Sequence, residues 1–187
     1  MYNTSDIRKN LKIEIDGAPY VVVSFQFVKP GKGNAFTRCR LKNMITGAVL
    51  DRTYKTGEKL EPANLEELNM QYLYADGEMY HFMNNQSYDQ VEIDTDHVGD
   101  AVNYLVENMD VSILYFNGKP IGINLPFTVE LKVVETEPGV KGDTATGATK
   151  AATLQTGATV QVPLFIKEGE KIVIDTRTGD YLERAKG

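Results

Sequence analysis

Four dipeptides, Asp16-Gly17, Asp76-Gly77, Asn117-Gly118 and Glu168-Gly169, interrupt short runs rich in Val, Ile, Tyr, Phe and Thr. Gly takes up positive φ at no steric cost, and Asn and Asp tolerate it, so such pairs mark places where a strand folds back on its predecessor. A chain punctuated this way, with Gly, Pro, Asn and Asp recurring between such runs, reads as all-β. Strands are predicted at 12–15, 20–28, 35–42, 70–74, 79–83, 111–116, 121–124, 128–134, 159–166 and 171–175. One helix is predicted over 101–109, capped by Asp100, because Val102, Leu105, Val106 and Met109 recur at helical spacing.

Leu114-Tyr-Phe-Asn-Gly-Lys-Pro-Ile-Gly-Ile123 and Leu164-Phe-Ile-Lys-Glu-Gly-Glu-Lys-Ile-Val173 both read as apolar strand, Gly turn, apolar strand. Their separation suits two related small barrels in tandem, and one short helix among about five strands suits an OB barrel for the middle unit. Proline-bearing joints at Glu61-Pro62 and Pro126-Phe127 divide the chain into 1–63, 64–128 and 129–187. With 42% apolar residues the composition is that of a globular protein rather than a disordered one. No run approaches the about 18 apolar residues of a membrane span. Met1-Tyr2-Asn3-Thr4-Ser5-Asp6 lacks a charged-then-apolar signal pattern, so a cytoplasmic location away from membranes is expected.

Catalytic and metal constellations are hard to assemble. The lone Cys39 excludes an internal disulfide and any multi-cysteine zinc site. His81 and His97 have no ligand spacing, and Asp94 and Asp96 lack the 12-residue calcium pattern. No Ser-His-Asp or Cys-His set emerges. The expectation is a protein that is no enzyme and carries no metal or cofactor.

Charge is segregated. Residues 1–63 hold 11 Lys or Arg against 6 Asp or Glu, whereas residues 64–128 hold Lys119 alone against 11 acids. Residues 129–187 are close to balanced, with 8 bases and 9 acids. A basic N-terminal third fits an anionic partner, and the acidic middle fits solvent or a basic protein. Six of the ten tyrosines lie in that middle stretch, where packing explains them better than nucleobase stacking does.

The most informative passage runs from Val21 to Lys42. Two β-rich arms flank Lys29-Pro30-Gly31-Lys32-Gly33-Asn34. Proline sets φ at the start of the turn, and Lys32 stands between two residues without side chains, so a flexible cation is offered at a fingertip. Arg38, Arg40 and Lys42 follow at period two, placing three cations on one strand face with Cys39 and Leu41 on the other. A row of bases beside a charged tip suits a phosphate backbone. A Gly-Lys-Gly turn taken alone is more often a solvated hairpin. The spacing and following residues of a Walker loop are missing. An exposed amine is a poor Schiff-base nucleophile.

Pro30-Gly31-Lys32-Gly33 followed by Ala35-Phe36 resembles the tip hairpin of bacterial elongation factor P. Lys150-x-Ala152, Gly157, Val160-x-Val162-Pro163, Ile166 and Gly169 fit that family's C-terminal signature, and Tyr72-Leu-Tyr-Ala-Asp-Gly-Glu-Met-Tyr80 with Phe82-Met83 is also similar. The likeness covers essentially the whole chain. It implies an SH3-like (KOW-type) domain followed by two OB-fold domains, in an L that mimics tRNA. It implies binding to both ribosomal subunits between the peptidyl and exit sites, with peptidyl-tRNA and ribosomal RNA as partners, and relief of stalling at consecutive prolines.

Residue by residue, the resemblance places Lys32 toward the CCA end of peptidyl-tRNA and makes it the target of a lysine-modifying enzyme, commonly by β-lysylation. Relatives that work unmodified tend to carry a second proline where Asn34 stands here, which favours a modified tip. Gly142-Asp143-Thr144 matches a loop that approaches the exit-site codon of mRNA. On its own chemistry the 139–157 stretch reads equally well as a mobile loop. Tyr181 and Arg184 match positions facing tRNA or the small subunit. A monomer is expected. The alternatives are a divergent paralogue, whose tip usually lacks lysine, and a general RNA-binding KOW/OB module, which the acidic middle disfavours.

Overall fold

The computed structural model describes residues 1–139 and 148–186 as strands joined by tight turns, in three sheets. The first sheet contains β1 (Tyr2–Asn3), β2 (Lys12–Ile15), β3 (Ala18–Val28), β4 (Phe36–Asn43), β5 (Val49–Lys55) and β6 (Lys59–Pro62), in the order β1-β6-β2-β3-β4-β5. Asp16 and Gly17, at φ 52° and 78°, make the β2–β3 turn. Alternate residues point inward from these strands, and Ile13, Val22, Cys39, Leu41, Tyr54 and Leu60 gather with Ile7 into one buried cluster.

The second sheet contains β7 (Glu66–Ala75), β8 (Met79–Met83), β9 (Gln90–Asp94), β10 (Asp110–Phe116) and β11 (Lys119–Asn124), ordered β11-β10-β7-β8-β9. The third contains β12 (Thr128–Thr136), β13 (Thr149–Leu154), β14 (Thr159–Pro163), β15 (Lys171–Asp175) and β16 (Tyr181–Arg184), ordered β14-β13-β12-β15-β16. The two orders are the same. Three strands form a meander, the fourth returns beside the first, and the fifth pairs with the fourth.

The duplication expected from the sequence is therefore present, but its register differs. Residues 114–123 form the β10–β11 hairpin, whose counterpart is β15–β16. Residues 164–173 instead carry the chain from β14 at the sheet edge to β15 on the far side of β12. Its Gly169 turn, at φ 89°, thus serves a crossover and not a hairpin.

The helix expected over 101–109 does not form. α1 spans Thr95–Val98, and a 3-10 turn follows over Gly99–Asn103. Asp94 takes the cap, its side chain accepting from the His97 N–H, and Gly99 at φ 60° breaks the turn at once. Tyr104, Val106 and Met109 pack against the third sheet's core, which explains their apolar character without a helix. The 139–157 stretch is likewise not all loop, since 149–154 form β13. No helix among the described residues is long and apolar enough to cross a membrane.

By compactness the chain divides within the second sheet. One unit comprises Met1–Leu68 with Ile113–Gly122, and the other comprises Asn69–Ser112 with Ile123–Gly187. The first unit also holds a small cluster of Leu114, Phe116 and Ile121 backed by Met44 and Leu65.

Candidate functional site

The β3–β4 hairpin is the longest among the described residues, and its pairing runs from Tyr20↔Asn43 out to Val28↔Phe36. β5 follows β4 along the whole of that length, from Lys42↔Val49 to Phe36↔Lys55. β2 supports β3 only from Ala18 to Val21. A bulge between Val22 and Ser24 marks the change, and beyond it β4 is the only strand neighbour of β3 among the described residues. The base of the tip is tied by Thr56, whose N–H and hydroxyl both donate to the Ala35 carbonyl.

The tip carries Lys29, Pro30, Gly31, Lys32, Gly33 and Asn34, all exposed except the half-buried Pro30. Only Gly33 needs the freedom of glycine, at φ 100°, and Gly31 has conventional φ and open space around it. Lys32 makes no hydrogen bond or ion pair with the described residues. No described residue competes for its amine.

Along β4 the alternation is as expected: Arg38, Arg40 and Lys42 are exposed, while Thr37, Cys39 and Leu41 are buried. Burial pushes the Cys39 thiol pKa up, which keeps it protonated and unreactive. The three cations are not equivalent. The Arg40 Nε lies 3.1 Å from Asp51 Oδ1 on β5, and that hydrogen bond raises the guanidinium's pKa. Arg38 lies over the Phe36 ring at 5.5 Å and has no carboxylate partner among the described residues. Lys42 is also free. The register adds Lys55, directly opposite Phe36 and on the same face, which period-two reasoning along β4 alone could not find.

The other candidates are dispersed. Gly142, Asp143 and Thr144 lie outside the described residues. Tyr181 packs half-buried against the third sheet's core. Arg184 reaches 3.4 Å from Glu170 and sits 4.4 Å over the Phe165 ring, so the open aromatic surface beside it belongs to Phe165. His81 is buried, with Nε2 2.8 Å from Asp76 and its ring stacked on Tyr74. His97 contacts its own capping Asp94. No cluster of metal-ligating side chains occurs among the described residues.

Comparison with known proteins gives three consecutive family matches. The description "Elongation factor P (EF-P) KOW-like domain" matches residues 3–60, "Elongation factor P (EF-P) OB domain" matches 65–123, and "Elongation factor P, C-terminal" matches 129–184. The chain is 55% identical over 187 residues to elongation factor P 2 of Geobacter sulfurreducens, covering 100% of both chains. It is 56% identical over 185 residues to elongation factor P of Moorella thermoacetica, covering 99% of this chain and 100% of that one. Among solved structures, eukaryotic translation initiation factor 5A from Methanococcus jannaschii is similar at 21% identity, 67% coverage of this chain, 90% of that chain and a TM-score of 0.48. The all-β architecture, a KOW-type domain followed by two OB domains, is the one the sequence implied. By full-length identity and by all three domain matches, the chain belongs to the elongation factor P family of translation elongation factors.

Proposed function

We propose that this protein binds the ribosome between the peptidyl and exit tRNA sites and stimulates peptide-bond formation at consecutive prolines. The observation that carries this reading is Lys32, an unpartnered amine between two glycines at the end of a braced hairpin. Proline constrains φ and is a poor participant in peptide-bond geometry. A factor that steadies the CCA end of peptidyl-tRNA lowers the entropic cost of a productive arrangement. The reaction stays with ribosomal RNA, and the factor performs no chemistry of its own.

Arg38 and Lys42 contact tRNA phosphates in this reading, with Arg40 a weaker contributor because of Asp51. Tyr181 and Arg184 face tRNA or the small subunit, and Gly142-Asp143-Thr144 approach the exit-site codon. A modifying enzyme lengthens Lys32, with a β-lysyl group the favoured extension. The protein works as a cytoplasmic monomer of three domains, 1–63, 64–128 and 129–187.

A Pro-Pro-Pro reporter translated with wild type and with Lys32→Ala tests the proposal. Full-length product falls to the level without factor for Lys32→Ala, while its melting temperature is unchanged. Undiminished rescue by the alanine variant refutes the role of the amine. Mass mapping of the Lys32 peptide from native cells tests the modification, and an unmodified mass from cells with active factor overturns it.

A further inference from the structure

The face of the hairpin opposite the cation row is unusual for a solvent-facing surface. Phe25 and Phe27 share it at alternate positions of β3 beyond the bulge, and they are 41% and 60% exposed. Phe25 is directly opposite Cys39, and Phe27 directly opposite Thr37, so both rings lie on the face that is buried further down the sheet. Here the sheet has run past its core, and the rings stand about 7 Å apart along the strand with nothing over Phe27.

Their neighbours on that face are cations. The Arg8 guanidinium lies 5.9 Å from the centre of the Phe25 ring, steered by donation to the Ile7 and Ser5 carbonyls. Arg52, opposite Cys39, lies 5.4 Å over Tyr54. Neither arginine has a carboxylate within ion-pair distance among the described residues. One such guanidinium lies over Phe25, and the second stands two strands away across β4 in register with Cys39 and Phe25, in the third of the chain that is net basic.

We propose that Phe25 and Phe27 form a stacking platform for unstacked nucleobases of RNA, with Arg8 and Arg52 holding the adjoining phosphates. A sheet surface that carries aromatic rings at alternate positions beside basic side chains is suited to splayed bases, since every base has a π-face. A basic rim favours a polyanion over an apolar protein partner, for which the desolvation of two free arginines is a cost. The hairpin then has two RNA-reading faces of different chemistry. The side with Arg38 and Lys42 meets phosphates, and the side with Phe25 and Phe27 meets bases. This inference rests on the proposed ribosomal role for the identity of the RNA.

The test uses the full-length protein and ribosomes carrying peptidyl-tRNA. Phe27→Leu keeps apolar bulk and loses the ring, whereas Phe27→Tyr keeps the ring. We expect the double change Phe25→Leu/Phe27→Leu to weaken ribosome association by about tenfold or more, and Phe27→Tyr to bind within about twofold of wild type. A photoreactive p-azidophenylalanine at position 27 is expected to cross-link to RNA. Wild-type binding by the leucine variant, or cross-linking to ribosomal protein alone, overturns the platform while leaving the ribosomal role intact. Failure of the unaltered protein to associate with ribosomes refutes the ribosomal role itself, and the platform with it. Circular dichroism of the leucine variant confirms that the sheet is retained.

Discussion

Asp51 divides the cation row into free and occupied charges, and this makes the salt dependence of binding a quantitative test. Each phosphate neutralised by a cation steepens the fall of log K with log salt by about 0.7 for single strands and about 0.9 for duplex. Arg38 and Lys42 have no carboxylate partner among the described residues, so Arg38→Ala/Lys42→Ala flattens that slope by about 1.4–1.8. Across a roughly fourfold rise in potassium chloride, the double variant therefore loses about tenfold less affinity than wild type loses. Arg40→Ala changes the slope by less than one contact's share, because its Nε is already 3.1 Å from a carboxylate. Asp51→Asn acts in the opposite sense. It releases Arg40, steepens the slope by about 0.7–0.9 and tightens binding at low salt. The ion pair is well exposed on both sides and solvent screens it, so it adds little to folding and stability does not confound the comparison. Ribosome association at fixed magnesium is the assay. An unchanged slope in the double variant, or a flatter one in Asp51→Asn, refutes the assignment of this face to phosphate.

Three further outcomes follow from packing and titration. Leu41 is fully buried in the first sheet's cluster, and Leu41→Ala lowers stability by about 2–5 kcal/mol, read from the urea midpoint. Gly179 sits at φ 81°, and an added Cβ would lie 3.0 Å from the Tyr104 hydroxyl. Gly179→Ala costs about 1–2 kcal/mol for its backbone conformation, and adding Tyr104→Phe recovers only the part due to the hydroxyl. The Asp175 carboxyl is held below its ordinary range by hydrogen bonding from the Arg177 side chain, reinforced by the Arg177 backbone N–H. A depressed folded-state pKa gives stability that is complete above the unfolded value of about 3.9 and is lost as pH falls through the lower folded value. Asp175→Asn therefore loses less stability than wild type between about pH 6 and about pH 3, and equal acid sensitivity of the two refutes this.

The strands with full-sized apolar side chains and a Gly turn beside them were legible in the sequence, and Lys12–Ile15, Met79–Met83 and Lys171–Asp175 form over the expected residues. β13 was not legible, because Thr149–Leu154 is built from Thr, Lys and Ala, with only Ala152 and Leu154 inward, and such small residues resemble a loop. The helix misassignment has a different origin. Val106 and Met109 recur at helical spacing because they contact another sheet's core, and the Met109 carbonyl accepts from the Tyr72 N–H instead of from its own turn. At the candidate site, Lys32 and the exposed alternation of β4 could be read from spacing. The Asp51 pairing and the Lys55 alignment could not, since they depend on the register of β5, which no local pattern sets. Phe25 and Phe27 read as ordinary strand residues, because a sequence does not reveal where a sheet outruns its core.

The bulge at Val22 and Ser24 also partitions the protein kinetically. Amides of β3 before it are flanked by strands on both sides and are expected to exchange with solvent through cooperative unfolding, whereas those from Val23 to Val28 lie on an open border and are expected to exchange through local fraying, which residue-resolved hydrogen exchange reads directly. In the proposed ribosomal role, the outer half of the finger flexes on each binding event while the barrel below keeps its own cooperative stability.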